Sequence, residues 1–319
     1  MKLIFTSKNM SDCTNKHVET WQRGMTKKPA CRIGSLSQER LTAIKQADTP
    51  IGVFDSGAGG LTILSALLKE LPHERFIYLG DTVHCPYGAR SDEEITELTL
   101  AACRFLLARG VKLIVIACNT ASQAALSTLR ATFPDLTFIG VVPAVKPAAR
   151  MTRKGRIGIA ATNQAAKAAY LRQLIDEFAG GIEASAVGCP DLVTLVEHGQ
   201  FDGPEVEETV RRALQPVLTE DIDVLVLGCT HFPALQAVIE RVAGPRVQVI
   251  DSGQAIARRT RSVLENAELL ASGSGDEPKN KRLEIWSSGD PAAFSSVATH
   301  ILALPVQASQ ANLERRGAE

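Results

Sequence analysis

The sequence predicts an α/β protein of two similar units with mostly parallel sheets, and three observations carry that prediction. Short runs of branched apolar residues recur, and each leads through a turn of small residues into a stretch with helical apolar spacing. Strand and helix signals alternate along nearly the whole chain, the order that lays parallel strands beneath crossover helices. The series also restarts. "IGVFDS" at Ile51 is echoed by "IGIAAT" at Ile157, "CPYG" at Cys85 by "CPDL" at Cys189, and "LIVIACNT" by "VLVLGCTH", whose cysteines are Cys118 and Cys229. The offsets are 106, 104 and 111 residues, near enough to constant to read as a duplicated unit.

Residues 1–48 stand apart from this series. They hold nine Lys or Arg against four Asp or Glu, and polar residues without a period, so a poorly ordered extension is expected, with a short helix near Gln38–Gln46. From Ile51, "IGVFD" reads as a strand, "SGAGG" as a tight turn and "LTILSALLKEL" as a helix. "RFIYLGDT" is a strand. "SDEEITELTLAACRFLLARG" is a helix, with Ser91 as N-cap, acidic residues in its first turn and Gly110 beyond its end. "VKLIVIACNT" and "TFIGVV" are strands around the helix "ASQAALSTLRATF". The second series runs strand "RIGIAAT", helix "NQAAKAAYLRQLIDEFA", strand "IEASAVG", helix "EVEETVRRALQPVL", strand "IDVLVLGCT", helix "FPALQAVIERVAG" and strand "VQVID". A long helix "SGQAIARRTRSVLENAELLA", a polar loop "ASGSGDEPKNK", a strand "RLEIWSSG" and a helix "PAAFSSVATHILAL" complete the chain. The expected domains are 49–142 plus 252–319, and 143–251, with helices on both faces of each sheet and the active site in the cleft between them.

Composition narrows the function. Of 319 residues, 45% are hydrophobic, and 35 Lys or Arg balance 35 Asp or Glu, so no overall field draws the chain to nucleic acid or an anionic membrane. No apolar run approaches the ~20 residues that span a bilayer. The opening "MKLIF" is too short for a signal core, and seven cysteines without a CxxC pair are expected to be reduced thiols of a cytoplasmic protein.

Two of those thiols invite chemistry. Cys118 and Cys229 each lie where a buried strand meets the next helix, the carboxyl edge at which open α/β sheets place their ligands. Free N–H groups of a following helix are expected to lower a thiol pKa there. A lone cysteine at such a junction is usually a small core residue; two at equivalent points of a repeat favour function. A disulfide fits poorly with reduced thiols. Cys229-x-His231 offers soft metal ligands, but without tight spacing of a third and fourth ligand no metal is expected. The remaining reading is a base and an acid on opposite faces of one substrate carbon, which inverts a stereocentre. Asn119, Thr120, Thr230 and His231 flank the thiols and suit an anionic substrate. "FDSGAGG" adds Asp55 and Ser56; it matches neither GxGxxG nor GxxxxGK[ST], which weighs against a nucleotide cradle.

Taken in order, "FDSGAGGLTIL", "GDTVHCPYGARS", "ACNTAS", "CPDLVTLVEHG" and "LGCTHFPAL" resemble the glutamate racemases of the aspartate/glutamate racemase superfamily, over about residues 50–262. The resemblance implies a cofactor-independent enzyme that interconverts L- and D-glutamate for peptidoglycan. It implies Cys118 and Cys229 as the two bases, Asp55 assisting the first, and His231 with Glu197 assisting the second. Ser56, Tyr87, Gly88, Asn119, Thr120, Thr162 and Thr230 would join Asp55 and His231 around the substrate. Cys85 and Cys189, each before a proline, read as packing residues, His198 as surface, and Cys13, Cys31 and Cys103 carry no signal. One departure stands out: "ATNQA" keeps Thr162 but has Ala165 where the family carries a second hydroxyl. "GVVPAVKPAAR" and the N-terminal extension resemble the enterobacterial-type branch, which implies activation by UDP-MurNAc-L-alanine. The oligomeric state is expected to be monomer or homodimer. The competing readings are a racemase of aspartate or hydantoin, and a two-domain small-ligand binder without turnover.

Overall fold

The computed structural model describes residues 3–5, 47–272 and 282–313; the helix expected near Gln38–Gln46 lies outside them. Strands β2 (Ile51–Asp55), β3 (Phe76–Gly80), β4 (Leu113–Ile116) and β5 (Thr137–Gly140) form one sheet in the order β3-β2-β4-β5. Strands β6 (Arg156–Ala161), β7 (Glu183–Gly188), β8 (Val224–Leu227) and β9 (Gln248–Ile250) form a second in the order β7-β6-β8-β9. The two orders are the same, second-first-third-fourth, and every pairing among these eight strands is parallel. β10 (Leu283–Ser287) and β11 (Ala308–Gln310) extend the first sheet beyond β3, again in parallel. β1 (Leu3–Phe5) borders β7 and is antiparallel to it, so the N-terminal segment contributes an edge strand that its composition does not announce.

The apolar runs form strands because both of their faces are covered. In β4, Leu113 and Val115 pack into the core on one side of the sheet and Ile114 and Ile116 into the core on the other. β8 repeats the arrangement, with Val224 and Val226 facing one way and Leu225 and Leu227 the other. Period-two alternation with no polar face is what a sheet between two helical layers requires. Those layers are α1 (Leu61–Glu70), α2 (Asp92–Leu107) and α3 (Asn119–Thr132) around the first sheet. α4 (Val145–Met151), α5 (Asn163–Lys167), α6 (Ala169–Phe178), α7 (Pro190–Glu197), α8 (Pro204–Leu218) and α9 (Gln236–Ala243) surround the second. α10 (Gly253–Asn266) and α11 (Pro291–Leu302) return from the second series to pack on α1.

The predicted cap holds: Ser91 Oγ accepts from Glu94 N at 3.2 Å, and Asp92, Glu93 and Glu94 follow in the first turn. The single helix expected over 163–179 is instead two, α5 and α6, because Ala168 between them is extended at φ −64°, ψ 141°. Across the seam between the two series, the Phe201 ring stacks on His300 at 3.9 Å and 4°, and Phe201 packs against cores from both. Among the described residues no helix is long and apolar enough to cross a membrane.

Candidate active site

β2 and β4 are neighbours although β3 lies between them in sequence, so the loops leaving their carboxyl ends run to opposite faces and open a crevice there. Asp55 ends β2, and Cys118 follows β4 by two residues. The second sheet repeats this placement, with Thr162 directly after β6 and Cys229 two residues after β8. The two carboxyl edges meet. Thr230 Oγ1 donates to Asp55 Oδ2 at 3.1 Å, Ala58 N to Glu197 Oε1 at 2.7 Å, and Thr62 Oγ1 to Thr230 O at 2.9 Å. The Thr120 and Thr162 hydroxyls lie 3.3 Å apart. Cys118, Cys229, Asp55, Ser56, Asn119, Thr120, Thr162, Thr230 and His231 are all buried in this seam.

In the first half, Cys118 is the N-cap of α3, its Sγ accepting from Ala121 N at 3.4 Å and lying 3.5 Å from Ser56 Oγ. The cap is the weaker anchor. Burying Ile114 and Ile116 contributes about 1.5–3 kcal/mol each, against about 1 kcal/mol for a good oxygen cap, so β4 fixes the position of the thiol. The expectation that the helix N-terminus lowers its pKa is not met. Burial, with the nearby Asp55 charge second, pushes the Cys118 thiol up to about 12, and the hydrogen bonds from Ala121 and Ser56 offset only part of this. Asp55 itself is fully buried, accepts from Gly57 N at 2.8 Å, and is raised by burial to about 6. A carboxyl with that pKa is well placed to take a proton near neutral pH.

In the second half, the thiol has an imidazole rather than a carboxylate. Cys229 Sγ lies 3.6 Å from His231 Nδ1, and His231 Nε2 lies 2.6 Å from Glu197 Oε1. Burial alone lowers the His231 pKa, but its hydrogen bonds to Cys229, Cys85 and Glu197 outweigh that and hold it well above the ordinary value. Glu197 is pushed up by burial and held below the usual carboxylate range by His231 and Ala58 N, so this pair is an imidazolium and a carboxylate. Two glycines make room for it. A Cβ on Gly57 would lie 2.0 Å from Glu197 Oε1, and one on Gly59 would lie 2.4 Å from His231 Nδ1. The turn "SGAGG" therefore serves as the floor under His231 and Glu197, so its glycines are explained without a phosphate.

The remaining predicted residues divide. Asn119 is buried with its Nδ2 lacking a protein acceptor, which leaves that atom open for a ligand. Gly88 abuts Thr162, where an added Cβ would lie 2.8 Å from Thr162 Cβ. The Tyr87 hydroxyl is already committed to Asp81 Oδ2 at 2.8 Å, so only the backbone of Tyr87 is free to meet a substrate. Ala165 is buried, and its N donates to Thr162 Oγ1 at 3.2 Å, capping α5. Cys189 is a packing residue as expected, directed at Val187 O and Ala213 O in a core. Cys103 is fully buried in another, and His198 is exposed. Cys85 packs against the same core as Cys189, as expected, and in addition its Sγ, Glu197 and His231 bring ligand atoms within 4.8 Å of one another. No local pattern marks that residue, since its neighbours come from segments more than 100 positions away. Cys13 and Cys31 lie outside the described residues.

The comparisons agree with this geometry. The family model described as Asp/Glu/Hydantoin racemase matches residues 58–260. A glutamate racemase of Herpetosiphon aurantiacus is 43% identical over 250 residues, which is 78% of this chain and 96% of that protein. One from Deinococcus radiodurans is 44% identical over 245 residues, 76% of this chain and 83% of that protein. Among solved structures, a glutamate racemase isoform from Bacillus anthracis superposes with a TM-score of 0.72 at 33% identity, covering 84% of this chain and 99% of its own. The Escherichia coli glutamate racemase in complex with L-glutamate and the activator UDP-MurNAc-Ala gives 0.71 at 33% identity, covering 82% and 97%. With two matched sheets, a thiol at the same edge of each and this likeness along its length, the chain belongs to the Asp/Glu/Hydantoin racemase family.

Proposed function

We propose that this protein interconverts L- and D-glutamate by proton transfer at Cα between two thiols, and that the D-glutamate so formed feeds peptidoglycan. The observation that carries the reading is that each of two buried thiols, at equivalent points of two like sheets, has its own proton partner: Asp55 near Cys118, and His231 with Glu197 beside Cys229. In one direction a thiolate takes the Cα proton; the Cα–H bond breaks and an S–H bond forms. The opposite thiol then gives its proton to the other face of the carbanion, leaving the inverted amino acid and the sulfurs with exchanged protonation. Asp55 accepts the Cys118 proton when that thiol must act as base, and the His231 imidazolium, braced by Glu197, stabilises the Cys229 thiolate when that sulfur must do so. Asn119 Nδ2, the hydroxyls of Ser56, Thr120, Thr162 and Thr230, and the backbone at Tyr87 and Gly88 hold the substrate carboxylates. Water exclusion strengthens each of these contacts.

The domain reading, 49–142 plus 252–319 and 143–251, is supported by which strands share a sheet. The protein works in the cytoplasm as a monomer or homodimer. Activation by UDP-MurNAc-L-alanine is supported by "GVVPAVKPAAR" and by the activator held in the Escherichia coli relative; an unchanged rate on adding that nucleotide removes it. The test of the main reading is incubation with L-glutamate in D2O without added cofactor. Formation of D-glutamate with deuterium at Cα is expected. No exchange at Cα, or exchange without inversion, overturns it.

A further inference from the structure

Outside the two thiols, the most chemically loaded cluster in the described structure is formed by Cys85, Glu197 and His231. We propose that these three residues form an inhibitory binding site for a soft divalent cation of the zinc class, distinct in purpose from the proton-transfer pair.

The donors come from three separate segments: the loop after β3, the C-terminal end of α7, and the turn after β8. Their ligand atoms all lie within 4.8 Å of one another, so small side-chain shifts bring them to one ion. A thiolate, an imidazole and a carboxylate are three donors of a zinc-type set. The sulfur disfavours magnesium and calcium, which take oxygen ligands. The floor of the cluster is bare: a Cβ on Gly57 would lie 2.0 Å from Glu197 Oε1 and 3.0 Å from Cys85 Sγ. Access also differs within the cleft. Glu197 is 20% exposed at its side chain and Cys85 is half-buried, whereas Cys118 and Cys229 are 5% exposed. A cation from solvent therefore meets Glu197 and Cys85 before either reacting sulfur, with His231, 3% exposed, closing the site from below.

Binding is an exchange of protons for metal, with no change of oxidation state. The Cys85 S–H bond breaks and its proton leaves to water as the metal–sulfur bond forms. His231 gives up one N–H proton so that a ring nitrogen can ligate, and Glu197 binds through carboxylate oxygen. Because the sulfur must lose its proton to ligate, binding tightens as pH rises. Occupancy draws His231 away from Cys229, which loses its proton partner and with it the second half of the reaction.

The inhibition rests on the proposed racemisation, but the site itself does not, so the test reads both. Cobalt(II), titrated into the metal-free wild-type protein, is expected to bind once per chain with a thiolate charge-transfer absorption that zinc displaces and Cys85→Ala abolishes. Zinc is expected to inhibit racemisation reversibly, with EDTA restoring it. Cys85→Ala, compared with its own metal-free rate, should raise the zinc concentration for half-inhibition at least tenfold. Cys85→Ser, which preserves the side-chain size, is the second variant should alanine fail to fold. A wild-type protein without the cobalt band overturns the proposal. So do a band and a zinc sensitivity unchanged by Cys85 substitution, which would place the metal on Cys118 or Cys229. A chain that shows the Cys85-dependent band but no racemisation would keep the metal site and overturn only the function proposed above.

Discussion

Cys118 and Cys229 stand at the same point of two sheets with the same strand order, yet their surroundings were solved differently. Cys118 caps an α-helix directly and has a buried carboxyl, Asp55, as its charged neighbour. Cys229 is followed by a one-turn 3-10 segment, Phe232–Leu235, and touches His231, which leans on a carboxylate from α7. The Cys85/Cys189 pair diverged further: Cys189 is buried within a core that Cys85 only flanks, with its sulfur near Glu197 and His231. A duplicated framework thus fixes where two opposed groups stand, while the proton partner of each is free to differ. Nothing in the reaction demands equal partners, because the two enantiomers are equally stable and kcat/KM must stay equal in both directions whichever side is damaged.

That equality shapes the experiments that would break the comparison. The largest effect is expected from Cys118→Ser and Cys229→Ser, each lowering racemisation in both directions by about 10³-fold through loss of an acid–base group; circular dichroism of the glutamate pool measures it. The halves separate only in a half-reaction. Each serine variant should still eliminate HCl from one enantiomer of a β-chloro analogue, where Cα–H and Cβ–Cl break without a second proton donor, and the two variants should prefer opposite hands. Preference for the same hand would end the two-sided reading.

Next in size is Asp55→Asn, about 10²-fold, with a change in the pH profile that the His231 side cannot mimic. Asp55 is raised to about 6, so its carboxyl takes up a proton as pH falls through that value and stops accepting one from Cys118. Wild-type kcat/KM should therefore fall below about pH 6, and in Asp55→Asn that limb should flatten. Glu197→Gln removes a charged hydrogen bond worth about 1.5–3 kcal/mol, roughly 10- to 10²-fold in rate, and leaves the limb in place. The smallest change is Thr62→Val, which deletes the hydroxyl that donates to Thr230 O and Gly59 O. It should raise KM about three- to tenfold, the worth of about 1 kcal/mol.

How far the sequence foretells this arrangement depends on distance along the chain. β2, β4, β6 and β8 were legible because continuous apolar runs of four to six residues have few alternatives, and the shared strand order follows from the restart at Ile157. β1 and β11 were not, since three residues each carry no period. The break at Ala168 is silent in "AAKAAY", a stretch of good helix formers that tertiary packing overrides. At the site, the residue types were readable from the five motifs, but environment was not. The position of Cys118 at a helix start predicts a lowered pKa; its depth and the neighbouring Asp55, 63 positions earlier in the chain, reverse the sign. The packing of Cys85 was legible but its nearness to Glu197 and His231 was not, because they approach it only through the meeting of two sheets.

The seam that joins those sheets sets the rhythm of the reaction. Thr230 to Asp55, Thr62 to Thr230, Ala58 to Glu197, and Gln164 Nε2 to Asp92 Oδ1 at 2.8 Å together close over sulfurs that solvent barely reaches. Each inversion leaves the pair of sulfurs primed for the reverse trip, and protons must pass through Asp55 and His231 before the same hand can be turned over again. The enzyme therefore keeps a one-bit memory of the last hand it released, written in which of two sulfurs holds the proton.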